Sequence, residues 1–168
     1  MIPFLQLIRY KNLFMVLLTM VLTKYALIHS FIEKSNLSNL EFCMLSLSVL
    51  LITAGGYIIN DIIDIEADRI NKPKNVFIDV TLSKKKATSA YLLLSLTGLI
   101  TGVYISFSKN IQINSLIFIF TFLGLIFYSQ YLKKIALIGN LMVSVFISFV
   151  ILIVFLFEKG STKSTSIW

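Results

Sequence analysis

The chain has 168 residues, of which 57% are hydrophobic and 14% charged, and its mean hydropathy is +0.89. Soluble domains carry about 25% charged residues, and disordered chains combine low hydrophobicity with high charge. Both classes are excluded, and the composition is that of an all-α integral membrane protein.

The formal charge of +7 would suit a nucleic-acid partner, but the basic residues sit between apolar runs, as in membrane loops. No nucleic-acid partner is expected. The one cysteine, Cys43, cannot form an internal disulfide. It reads as a small packed side chain.

Arg9 and Lys11 precede the first apolar stretch, residues 13–32. No small-residue cleavage site comes after it, so this stretch is expected to remain as a span. Further stretches cover residues 40–63, 87–107, 111–132 and 135–157. Each is long enough to cross a ~30 Å hydrocarbon core as a helix. About five transmembrane helices are expected. With the N-terminus inside, the inner side holds ten basic residues and the outer side four. The N-terminus and the loop from Asp64 to Lys86 are therefore expected on the cytoplasmic side of a plasma or inner membrane.

Within the first stretch, Lys24 either snorkels outward or pairs inside the bundle. His29 reads as an interfacial residue, and Trp168 likewise. In the second stretch, Gly55-Gly56 either lets helices approach closely or opens room for a ligand.

Five of the eight acidic residues fall between positions 61 and 79. The run Asn60-Asp61-Ile62-Ile63-Asp64-Ile65-Glu66-Ala67-Asp68-Arg69 begins where the second stretch ends. On a continuous helix, Asn60, Asp61, Asp64 and Asp68 share an arc of about 100°. Like charges so spaced repel, and an unpaired carboxylate near the membrane costs more. A hard divalent cation, magnesium or manganese, would neutralise the arc and bridge to substrate phosphates. Arg69, Lys72 and Lys74 can face phosphate oxygens. The alternative is a solvated, charge-mixed helix end.

Asn60-Asp61-x-x-Asp64-x-x-x-Asp68, with Arg69-Ile70-Asn71-Lys72-Pro73 directly after it, resembles the first aspartate-rich motif of UbiA-type intramembrane prenyltransferases. Ser83-Lys84-Lys85-Lys86-Ala87, Arg9-x-x-Asn12 and Tyr128…Lys133…Gly139-Asn140 are similar to that family as well. The resemblance implies a helical bundle that moves a prenyl group from a prenyl diphosphate to an acceptor with Mg2+.

It implies Asn60, Asp64 and Asp68 as magnesium ligands, with Asp61 in the same cluster. Arg69, Lys72 and Lys133 would serve the diphosphate beside Asp64 and Asp68. Asn12, Asn60, Tyr128 and Tyr131 would bind substrate, a tyrosine ring facing the developing allylic cation. The loop looks closest to enzymes that prenylate a glycerol-phosphate ether lipid, with quinone and other aromatic acceptors as alternatives.

That family carries a second aspartate-rich motif, whereas no aspartate occurs after Asp79 here. Residues 1–158 are therefore expected to form the N-terminal portion of such a bundle. Residues 159–168 read as a polar tail, truncated or frame-shifted, and a second polypeptide could supply the missing half. The competing reading is a truncated, non-catalytic membrane protein or subunit. A CDP-alcohol phosphotransferase is weaker, because its Asp-Gly and Ala-Arg run does not occur.

Overall fold

The structure, a computed structural model, describes residues 2–28, 35–71, 78–80 and 82–159. The expectations for His29, Lys72, Lys74, residues 29–32 and the tail 160–168 lie outside the described residues.

The described residues are helical apart from turns and a single bridge between Ile78 and Leu82. The chain is thus the all-α membrane protein that its composition indicates. Short α1 (Ile2–Leu7) precedes α2 (Tyr10–Leu22), which continues through a π-helical turn at Thr23–Leu27. Then come α3 (Asn39–Ile63), α4 (Ile65–Asn71), α5 (Lys84–Ser108), α6 (Ser115–Gln130) and α7 (Ala136–Lys159).

Among the described residues, four segments are long and apolar enough to cross a membrane: Asn39–Ile63, Lys84–Ser108, Gln112–Gln130 and Leu137–Lys159. They match the last four apolar stretches to within a few residues. The first stretch differs. Its regular α-helix, α2, has 13 residues and continues only through the π turn among the described residues.

Ser38 starts α3 with a capping box. Its hydroxyl accepts from the Glu41 amide at 3.3 Å, and its own amide donates to Glu41 Oε2 at 2.8 Å. Ser83 caps α5 by accepting from the Lys86 amide at 3.4 Å. At the far end of α5, Lys109 reaches Glu41 at 2.9 Å and ties these two helices together.

The closest packing is between α3 and α5. Small residues permit it. Ser48 donates to the Gly98 carbonyl at 2.6 Å. A Cβ at Gly98 would sit 2.9 Å from both Ile52 and the Ser48 carbonyl. A Cβ at Gly55 would overlap the Ser95 hydroxyl. Lipid tails are as apolar as leucine, so helices in a bilayer associate through such close fits. Gly56 meets Leu125 of α6. Gly55 and Gly56 thus both permit close approach of a neighbouring helix, and Gly56 also borders a cavity.

Cys43 is exposed, not packed as expected. Its neighbours Phe42 and Leu45 turn into the core, and the helical step puts Cys43 on the other face.

Lys24 pairs inside the bundle. The π turn brings it to Glu158 of α7, with Nζ 2.7 Å from Oε1 and both side chains nearly fully buried. Ser35 and the Asn36 amide donate to Glu158 Oε2 at 2.7 and 3.1 Å, and Lys24 also donates to the Leu37 carbonyl at 2.9 Å. A buried ion pair survives only with such additional hydrogen bonds.

Stability in detergent should reflect both features. Gly98→Val should wedge α3 from α5 and cost about 1–3 kcal/mol, whereas Ile100→Val on the exposed face should cost little. Glu158→Gln should cost about 3–5 kcal/mol by stranding Lys24, and pairing Glu158→Leu with Lys24→Met should recover much of that loss. Equilibrium unfolding of the four variants checks both.

Candidate functional site

The acidic run sits where α3 ends. Asp64 adopts φ −88° and ψ 2° and separates α3 from α4, so the run is not one continuous helix. The helical phase nevertheless carries through the break. The Asp64 amide donates to the Asn60 carbonyl at 3.0 Å, and the Asp68 amide to the Asp64 carbonyl at 2.8 Å.

Lys133 shows that Asn60 and Asp64 share a face. It lies in the turn Leu132–Lys134 between α6 and α7. Its Nζ is 2.6 Å from Asp64 Oδ1 and donates to Asn60 Oδ1 at 3.1 Å. Asp61 turns to a different neighbour, Arg9, whose Nη2 is 3.0 Å from Oδ1. Arg9 precedes α2 in a left-handed conformation, φ 52°, and its guanidinium lies 4.9 Å over the Tyr57 ring.

Arg69 is exposed and lies 3.3 Å from Asp79. Asp79 has φ 65°, and its other oxygen accepts from the Lys84 amide at 3.1 Å. In this geometry Arg69 braces the entry to α5 and does not join Asn60 and Asp64.

Below the acidic run lies a cavity of about 540 Å³, walled by α2, α3, α6 and α7. Its mouth carries Arg9, Asn12, Tyr57, Asn60 and Tyr128. Its depth is largely apolar, with Ile52, Leu125, Phe146 and Ile153 among the walls. From Asn60 to Val49, both lining residues, it runs along α3 for about 16 Å. Such a volume lies within the usual range for small-molecule sites.

Of the two candidate tyrosines, Tyr128 lines the cavity and meets Phe146 edge-on at 6.3 Å. Tyr131 is exposed, packs on Phe127 at 5.1 Å and is not among the lining residues. Sequence reasoning gave no role to Arg9 or Tyr57. The available signal for Arg9 was a cation at the start of one span opposite the acidic end of the next.

The residues fit a hard cation. Two oxygens, from Asn60 and Asp64, already converge on one positive charge, the Lys133 ammonium. Among the described residues no three His, Cys, Asp or Glu side chains are grouped to hold an ion unaided. Magnesium needs fewer, because it usually takes one or two carboxylates and completes its shell with water and substrate phosphate.

The model of the UbiA prenyltransferase family matches residues 12–168. Digeranylgeranylglyceryl phosphate synthase of Saccharolobus solfataricus is 41% identical over 99 residues, 59% of this chain and 33% of that protein. The protein of the same name from Methanosphaera stadtmanae is 31% identical over 144 residues, 85% of this chain and 48% of that one. A solved structure described as giving structural and mechanistic insights into digeranylgeranylglyceryl phosphate synthase in membranes superimposes with a TM-score of 0.77. It is 27% identical and covers 94% of this chain and 53% of its own. The chain thus spans a third to about half of these relatives' length.

Removing the internal cation should expose the fit for an external one. Lys133→Met is expected to lower the melting temperature in detergent by about 2–4 °C without divalent ions, for a loss on the order of 1 kcal/mol. Added Mg2+ should restore more of that loss than it adds to the parent chain. Thermal unfolding with and without Mg2+ checks this.

Proposed function

Since the chain belongs to the UbiA prenyltransferase family, we propose that it takes part in transferring a prenyl group from a prenyl diphosphate to a prenylated glyceryl phosphate. The observation that carries this reading is the paired charge of Lys133, Asn60 and Asp64 at the mouth of a largely apolar cavity. The acceptor class is taken from the name borne by the relatives, digeranylgeranylglyceryl phosphate synthase.

Diphosphate leaves a carbon readily only when its growing charge is neutralised. Asn60, Asp64 and Asp68 would hold magnesium, with Asp61 beside them. The chemistry a bound magnesium supplies is that neutralisation. Lys133 and Arg9 add fixed positive charge at the same mouth, and the Arg9 fork suits paired phosphate oxygens. The deeper walls hold the prenyl chain and keep water from the allylic cation. Tyr128 offers its ring to that cation. The resemblance calls for a second acidic stretch, and no aspartate occurs after Asp79. We assign those carboxylates to a further segment or a second polypeptide. We assign the mouth to the cytoplasmic face, on the ten-to-four division of basic residues.

Asp64→Ala should lower Mg2+-dependent formation of digeranylgeranylglyceryl phosphate about 100-fold or more, in line with the loss of one preorganised charge-stabilising group. Mass spectrometry of the lipid product reads the result. Transfer at the parental rate in Asp64→Ala overturns the proposal. A chain that shows no transfer even together with the part that carries the second acidic stretch, and in which Asp64→Ala changes only the melting temperature, is the non-catalytic bundle.

A further inference from the structure

Many hydroxyls inside the described helices share one habit. Thr19, Thr53, Thr101, Ser106 and Ser148 each donate to the carbonyl four residues back, the usual arrangement for a hydroxyl within a helix. Ser129 of α6 does not. It is 1% exposed, and its Oγ has no hydrogen-bond partner among the described residues. Ser46 also has an unpartnered hydroxyl, but it is not part of the cavity wall; Ser129 is. A buried hydroxyl left without an acceptor is unfavourable, and here the space it lines is open to a ligand.

Its level in the cavity narrows what that ligand atom is. α3 and α6 run in the same direction, and Leu125 of α6 faces Gly56 of α3. One helical turn further on, Ser129 stands level with Asn60. There the walls change from the charged mouth to the apolar depth. A phosphate ester of a long apolar alcohol presents its joining oxygens at such a boundary.

The geometry points to Ser129 as a ligand-binding residue whose hydroxyl donates to a head-group oxygen where the phosphate meets the apolar chain. This rests on the prenyl-diphosphate reading above. Inorganic pyrophosphate has no ester oxygen joining phosphate to a carbon chain, so it engages the mouth cations and leaves Ser129 unused.

The test is titration calorimetry on the full chain in detergent with Mg2+ and no acceptor. Geranylgeranyl diphosphate and inorganic pyrophosphate are compared on the parent chain, Ser129→Ala, Ser129→Thr and Ser129→Val. Thr and Val have the same shape and differ in the hydroxyl. Ser129→Ala and Ser129→Val are expected to bind geranylgeranyl diphosphate roughly fivefold to tenfold more weakly. Ser129→Thr should stay near the parent, and pyrophosphate binding should not change in any variant. Equal affinity of Thr and Val, or equal weakening for both ligands, overturns the role of Ser129 and leaves the prenyl-diphosphate reading standing. A parent chain that binds pyrophosphate but not geranylgeranyl diphosphate overturns that reading, and the inference with it.

Discussion

A carboxylate at a membrane boundary must meet a positive charge, and that requirement decides which parts of this chain come together. Asp61 draws in Arg9 from the start of α2, and Asp64 draws in Lys133 from the turn before α7. α3 is thereby held on two sides at its polar end. The cavity is the space those contacts frame, so the geometry that relieves the charge also builds the mouth of the pocket.

The two sides of α3 obey different packing rules. Toward α5 its surface is Ser48, Ile52 and Gly55, and the helices touch almost backbone to backbone. Toward α2, α6 and α7 the same helix lines the cavity with Val49, Thr53 and Gly56. One flank is a rigid support and the other is a wall. Both flanks lie within one apolar stretch, so hydropathy alone does not tell them apart.

Much of the fold was legible because hydropathy is a property of each segment by itself. The last four apolar stretches became helices of nearly the lengths read from sequence. That Asn60 and Asp64 share a face was also legible, since they are one turn apart. The features hidden from the sequence depend on rotation and on partners far along the chain. Tyr128 and Tyr131 look equivalent until α6 is turned about its axis, and then one lines the cavity and the other does not. Arg69 sits beside the acidic arc in sequence but is held by Asp79 across the connection to α5. Lys24 and Glu158 lie near opposite ends of the chain, and only the folded bundle brings them into contact.

The π turn at Thr23–Leu27 has a consequence for chain length. Such a turn holds an additional residue relative to regular α-helix, and Lys24 sits inside it. The first span is therefore longer by one position than the rise it covers requires. Deleting a single residue there would leave the hydropathy of the span intact and restore a regular α-helix, with only the bulged positions, Lys24 among them, displaced. Lys24 would then lose the position from which it meets Glu158. The exact count of residues between Arg9 and Lys24, and not merely their apolar character, links the charge at one rim of the bundle to the charge at the other.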